Sequence, residues 1–98
     1  MIVLKTGREL QVMREACRIS AGALKTVGDA VEPGVTTAEL DALAEKYILK
    51  EGGKPNFKNY QGYPATACIS INNEVIHGIP SKKRRICAGD IVSVDLGA

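Results

Sequence analysis

The 98-residue sequence has no tryptophan, a single phenylalanine and a single histidine. Its three cysteines are widely spaced and form no Cys-x-x-Cys pair, which argues against a zinc knuckle or a thioredoxin-like redox motif. Such cysteine usage suits a reducing cytosol, so we expect a cytoplasmic location. No apolar run approaches the ~18 residues that span a bilayer, and the apolar start at Met1–Leu4 is too short for a signal peptide. We therefore expect no membrane partner.

Charge is also modest, because the Lys, Arg, Asp and Glu residues leave a net charge of only +2. This balance gives no reason to expect direct nucleic-acid binding. The densest charge run is Lys82-Lys83-Arg84-Arg85, which we interpret as a solvated turn, with contact to phosphates or an acidic partner as the alternative. A hydrophobic content of 45% and a charged content of 24% are typical of a globular domain.

The sequence does contain two helical patterns, each preceded by a capping motif. Segments 6–9 and 36–39 read Thr-Gly-Arg-Glu and Thr-Thr-Ala-Glu, the spacing of a capping box. Apolar residues then recur at helical spacing, which predicts helices over about 7–31 and about 37–51. The predicted inward stripes are Leu10, Met13, Cys17, Leu24 and Val27 in the first helix and Leu40, Leu43, Tyr47 and Ile48 in the second. The charged residues Asp41, Glu45, Lys46 and Lys50 are expected to face water.

From residue 66 the apolar pattern changes from helical spacing to alternation. Segments 66–71 and 91–96 predict strands, and 75–77 predicts a short return strand after a turn at 72–74. Two helices followed by antiparallel strands predict an α+β fold in which the helices cover one face of the sheet. The last strand is apolar on one face and ends in Asp95, which is typical of a strand inside a larger sheet. We therefore expect residues 1–98 to be a single partial domain, the front portion of a longer protein.

His77 and Asp95 are the candidate chemical groups. A histidine that titrates near neutral pH is suited to hydrogen-bonding a peptide group, and a structural role is equally consistent with the sequence. Asp95 offers a hard oxygen ligand for a divalent metal, and the alternative is a strand-end aspartate that caps a turn. A metal would need roughly two to five further ligands, which the residues after Asp95 do not supply.

The only phenylalanine and two of the three tyrosines lie in a loop with Gly and Pro at 55–64. Phe57, Tyr60 and Tyr63 can form one wall of an apolar pocket, or they can pack their rings on the sheet. Cys68 is a candidate small pocket liner. No His or Asp spacing marks Cys68 as a nucleophile.

Taken together and in their order along the chain, five sequence segments resemble those of type I methionine aminopeptidases, which are metallopeptidases with the pita-bread fold. The resemblance covers essentially the whole chain and rests on segments 13–16, 33–41, 59–64, 68–80 and 89–95. The most specific of these is 68–80, which reads Cys-Ile-Ser-Ile-Asn-Asn-Glu-Val-Ile-His-Gly-Ile-Pro. The resemblance implies metal-dependent removal of the N-terminal methionine from nascent proteins, with two divalent ions (Co, Mn, Fe or Zn) in the full-length family.

The resemblance also implies roles for individual residues. His77 matches the family histidine that contacts the substrate and assists the reaction near the metals. Asp95 matches the first carboxylate ligand of the two-metal centre. Tyr60, Tyr63 and Cys68 match family residues that line the pocket for the methionine side chain. Phe57 occupies a further position in that pocket.

Two departures from the family pattern bear on activity. Gln61 stands where the family commonly has histidine, a mild change at the pocket rim. The family's other metal ligands, a second aspartate, a histidine and two glutamates, lie beyond Ala98. The resemblance therefore implies that the 98-residue chain alone is an inactive fragment that binds no metal tightly, because a single carboxylate holds a divalent ion weakly. An exposed sheet edge in such a fragment predicts self-association.

Two alternatives keep the fold and change the function. One is a proline-directed peptidase such as a prolidase or aminopeptidase P, which the match from the first helix to Asp95 without a large N-terminal domain argues against. The other is a non-catalytic pita-bread module that docks a partner through uncovered apolar surface.

Overall fold

The computed structural model describes residues 2–74 and 78–98, so the predicted return strand at 75–77 lies outside the described residues. The described elements follow the order α1 (Gly7–Ala30), α2 (Thr37–Lys50), a 3-10 turn (Tyr60–Gly62), β1 (Ala67–Ile71) and β2 (Val92–Leu96). The two strands pair antiparallel, and both helices contact them. The predicted α+β class, with two helices on an antiparallel sheet, is confirmed.

Both helices begin where the capping motifs predict. At α1, the Thr6 hydroxyl accepts from the backbone N–H of Glu9 at 3.2 Å, and the Glu9 carboxylate accepts from the backbone N–H of Thr6 at 2.9 Å. At α2, the Thr36 hydroxyl accepts from the backbone N–H of Glu39 at 3.1 Å, which is one of the two bonds of a capping box. Each bond satisfies a backbone donor that the first helical turn leaves free. Local chemistry thus fixes both starting points.

The predicted inward stripe of α1 is largely wrong. Of that stripe only Val27 is buried, whereas Leu10, Met13, Cys17 and Leu24 are exposed. The buried residues of α1 are Ile19, Ala23 and Val27. The closest approach of α2 to this face of α1 is at Gly22, where a Cβ would stand 2.6 Å from the Cζ atom of Tyr47. Because Gly22 has no side chain, α2 approaches α1 on this side, and the neighbouring Ile19–Ala23–Val27 face becomes the contact.

The main core lies between the helices and one face of the strand pair. Its buried members are Val27, Leu40, Ala44, Ala67, Ile69, Ile71 and Ile86. Leu43, which was predicted to face inward, is 36% exposed, and Ala44 occupies the buried position instead. A smaller cluster of Ile19, Ala23 and Ile48 joins the two helices. On the opposite face of the strand pair, Cys68 and Ser70 of β1 are buried, while Ser93 and Asp95 of β2 are exposed.

The predicted alternation of the last strand is present in β2. Val92, Val94 and Leu96 are half-buried against the core, while Ser93 and Asp95 are exposed. Asp95 therefore projects from the face opposite the main core. The run Lys82–Arg85 is exposed. Among the described residues, neither helix combines the length and the hydropathy that crossing a bilayer requires.

Candidate functional site

The loop between α2 and β1 has a defined backbone shape. Asn59 and Gln61 have φ angles of 67° and 48°, in the left-handed region that residues other than glycine seldom adopt. Backbone bonds from Asn59 N–H to the Tyr63 carbonyl (2.8 Å) and from Tyr63 N–H to the Tyr60 carbonyl (2.9 Å) close the turn. Because such backbone outliers cluster at functional sites, this loop is a candidate site on its geometry alone.

The loop forms one side of a pocket of about 570 Å³, within the volume range of small-molecule sites. The pocket is lined by Phe57, Tyr60, Gln61, Gly62, Tyr63 and Pro64 of the loop, by Cys68 of β1, and by Ile79 and Asp95. The structure thus brings together five of the six residues singled out in the sequence, Phe57, Tyr60, Tyr63, Cys68 and Asp95. Ile79 is a pocket residue that the sequence reasoning missed. The binding roles of these residues stay predictions.

Asp95 lines the pocket because the register of the two strands places it beside Cys68. It pairs with Cys68 in the antiparallel β1–β2 ladder, and directly opposite residues of such a pair project to the same face. The Cys68 side chain is buried, whereas Asp95 is exposed to the pocket. The pocket therefore has an apolar wall with a polarizable sulfur and, beside it, one carboxylate.

Tyr63 is a fixed part of the wall. Its hydroxyl donates to the Ala67 carbonyl at 2.9 Å and approaches the Gly78 carbonyl at 3.4 Å. Its ring meets the Phe57 ring edge-on, with ring centroids 6.5 Å apart. Burial is the main cause that raises the pKa of the Tyr63 hydroxyl, and the neighbouring Cys68 raises it further. Tyr63 thus stays neutral at physiological pH and serves as a hydrogen-bond donor.

Asp41 was expected to face water, but the structure places it differently. Its Oδ1 atom accepts from the backbone N–H groups of Thr66 (3.0 Å) and Ala67 (2.7 Å). Burial raises the pKa of the Asp41 carboxyl, and these two backbone bonds lower it in part. Asp41 therefore ties α2 to the first residues of β1.

The predicted histidine, His77, lies outside the described residues. The next residue, Gly78, lies against β1: its carbonyl accepts from the Ile69 N–H at 2.8 Å and its N–H donates to the Ser70 hydroxyl at 3.0 Å. A Cβ at Gly78 would overlap the Ile69 carbonyl group, with the carbonyl carbon only 2.7 Å away, so a residue with a side chain would force this segment away from β1.

A protein-bound metal ion needs several donor side chains arranged around one point. Within residues 2–74 and 78–98, no group of three or more His, Cys, Asp or Glu side chains is arranged to hold a metal ion. The pocket offers a single carboxylate, that of Asp95. The described residues therefore do not complete a metal centre, because even a structural or catalytic zinc uses at least three protein ligands.

Comparison with known proteins gives matches over nearly the whole chain. The model of "Metallopeptidase family M24" matches residues 11–98. The methionine aminopeptidase of Clostridium acetobutylicum is 53% identical over 98 residues, which are 100% of this chain and 39% of that relative. The chain thus spans about two fifths of the length of this relative, and of the methionine aminopeptidase 1 of Bacillus subtilis.

Solved structures agree with the sequence matches. The crystal structure of methionine aminopeptidase from Thermotoga maritima superposes with a TM-score of 0.95 at 41% identity, covering 98% of this chain and 39% of that one. An Xaa-Pro dipeptidase from Bacillus anthracis superposes with a TM-score of 0.71 at 26% identity, covering 97% and 25%. Both the sequence identity and the TM-score are therefore higher for the methionine aminopeptidase than for the Xaa-Pro dipeptidase.

Proposed function

Because the chain belongs to metallopeptidase family M24, we propose that it carries the methionine-binding pocket and one metal ligand of a methionine aminopeptidase. Membership of this family implies that the full-length protein uses a divalent metal. The substrate we propose is a nascent peptide that begins with methionine, and the location we propose is the cytoplasm. Residues 1–98 would form the N-terminal part of the catalytic domain.

The observation that carries this proposal is the meeting of Phe57, Tyr60, Tyr63, Cys68 and Asp95 around one pocket. A methionine side chain is unbranched and flexible, and its thioether makes favourable contacts at the edges of aromatic rings. A wall of three aromatic rings and a buried thiol suits such a side chain. The carboxylate of Asp95, at the border of the same pocket, would lie near the amino end and first peptide bond of the bound substrate.

We assign two roles to the remaining candidate groups. His77 would contact the substrate peptide, as a neutral or protonated imidazole can donate to a carbonyl. Asp95 would be one ligand of a centre of two divalent ions (Co, Mn, Fe or Zn), with the other ligands supplied by the longer protein that the resemblance implies. The 98-residue chain alone would then be inactive and would bind metal weakly. Self-association through the sheet edge, and no binding of nucleic acid, remain predictions.

Product analysis of the full-length protein tests the function. The protein is incubated with added Co²⁺ or Mn²⁺ and with either Met-Ala-Ser or Ala-Pro-Ser, and free amino acids are measured. Release of methionine from the first peptide, without cleavage of the second, is the expected result. Preferential cleavage of the Ala-Pro bond would instead assign the chain to the proline-directed branch of the family.

A further inference from the structure

We propose that Asp41 is a positioning residue for the pocket: it sets the aromatic wall for substrate binding by holding the backbone at Thr66 and Ala67. Asp41 does not line the pocket. This inference rests on the proposed function for its kinetic test, and a second readout, independent of substrate, tests the positioning itself.

One carboxylate oxygen of Asp41 makes the contact that holds the backbone before β1. Asp41 Oδ1 accepts from two successive backbone N–H groups, those of Thr66 and Ala67. Asp41 lies in α2, whose start is fixed by the Thr36 cap and whose Leu40 side chain is fully buried in the core. A charged acceptor on a rigid helix therefore defines where the chain enters β1.

The backbone that Asp41 holds also bonds to a residue of the pocket wall. The carbonyl of Ala67, whose N–H is held by Asp41, accepts from the Tyr63 hydroxyl at 2.9 Å. Tyr63 in turn packs against Phe57, edge to face. Asp41 thus bonds to the peptide unit that precedes the Ala67 Cα atom, and Tyr63 bonds to the peptide unit that follows it, so the position of Ala67 links the two contacts.

The aromatic wall and the Asp95 carboxylate are held in place by different contacts. Asp95 pairs with Cys68, and the ladder pairs from Cys68 to Ile71 lie beyond the two residues that Asp41 contacts. Loss of the Asp41 contact would therefore loosen the Tyr63 side of the pocket while Asp95 keeps its place. The expected consequence is weaker substrate binding with little change in the chemical step.

The charged groups near Asp41 are already paired with each other, so a neutral residue at position 41 leaves no new unpaired charge. Glu45 and Lys58 lie near enough to influence its carboxyl, and these two residues form an ion pair with each other. Asparagine at position 41 keeps the acceptor oxygen and removes the charge, and so avoids the desolvation that a half-buried carboxylate suffers. Asp41→Asn should therefore preserve the two backbone bonds that Asp41→Ala removes.

The kinetic experiment compares Asp41→Ala and Asp41→Asn in the full-length protein with Met-Ala-Ser as substrate. For Asp41→Ala we expect KM to rise about tenfold, since two buried N–H groups lose a charged acceptor, while kcat changes by less than about twofold. For Asp41→Asn we expect both constants to stay within about twofold of the wild type. Asp29→Ala, which removes an exposed carboxylate on α1, is the matched control and should change neither.

The substrate-free readout is amide hydrogen exchange at Thr66 and Ala67. Exchange should be faster by about tenfold in Asp41→Ala and near the wild-type rate in Asp41→Asn. An unchanged KM and unchanged exchange in Asp41→Ala would overturn the proposal. A tenfold higher KM in Asp41→Asn would also overturn the proposal. This second result can be measured even if Asp41→Ala does not fold. If the wild type releases no methionine, the proposed function fails, and the exchange rates alone decide the role of Asp41.

Discussion

Cys68 and Asp95 are paired across the antiparallel β1–β2 ladder, and both line the pocket enclosed by the aromatic loop. The thiol is buried and the carboxylate is exposed, although they are direct neighbours on one face of the strands. This single register pair places an apolar part of the pocket wall beside a carboxylate. A slip of one residue in β2 would turn Asp95 towards the core, and a slip of one residue in β1 would turn Cys68 there, so either would separate the two side chains.

Gly22 and Gly28 should respond in opposite ways to replacement by alanine. In Gly22→Ala the new methyl group would collide with the Tyr47 ring, so we expect a loss of about 1–3 kcal/mol in the free energy of unfolding. At Gly28, within the same helix, nothing lies within 4 Å of the added Cβ, and alanine should stabilise by about 0.5–1 kcal/mol. Urea denaturation of both variants measures this. Equal stabilisation by both would show that α1 does not approach α2 at Gly22.

Tyr63 and Tyr60 offer a second matched pair. Tyr63→Phe removes the hydroxyl that donates to the Ala67 carbonyl, and we expect a loss of about 1 kcal/mol in unfolding free energy. The Tyr60 side chain is exposed, so Tyr60→Phe should change the stability by less than about 0.5 kcal/mol. If thermal and urea denaturation find the two variants equally stable, the Tyr63 bond contributes nothing to the fold.

The raised pKa of Tyr63 predicts a specific alkaline effect. Because the folded state holds this proton more tightly than the unfolded state does, its contribution to stability is complete below the unfolded pKa of about 10 and falls as the pH rises above it. Phenylalanine has no proton to lose. The stability advantage of the wild type over Tyr63→Phe should therefore shrink between about pH 9 and pH 11. An advantage that grows over this interval has the wrong sign for a buried tyrosine.

The helices and their ends could be predicted from the sequence because capping is local chemistry. Thr6 and Glu9 satisfy each other's backbone donors within one turn, and the observed α1, Gly7–Ala30, ends within a residue of the predicted limit. The alternating faces of β2 are equally local. In contrast, the buried face of α1 depends on where Gly22 meets Tyr47, which no spacing within α1 reveals.

Five residues of the pocket lining could be chosen from the sequence, and their roles stay predictions, whereas the contacts that support the pocket could not be foreseen. Phe57, Tyr60, Tyr63, Cys68 and Asp95 were chosen largely through family resemblance, and the structure gathers them around one pocket. Asp41 was assigned to solvent because it follows the polar face of α2. Its partners, Thr66 and Ala67, lie 25 and 26 residues further along the chain, and a contact of that range leaves no local pattern.

The most direct test of the central claim is methionine release by the full-length protein carrying Asp95→Asn, measured with Met-Ala-Ser at saturating metal. Asp95 is proposed as a metal ligand at the edge of the methionine pocket, so its loss should lower kcat/KM by at least about 100-fold, whereas Asp29→Asn on the exposed face of α1 should retain wild-type activity. Metal titration by calorimetry should show weaker binding in the Asp95 variant alone. Wild-type kcat/KM and metal affinity in Asp95→Asn would contradict the assignment of this pocket as the site of the reaction.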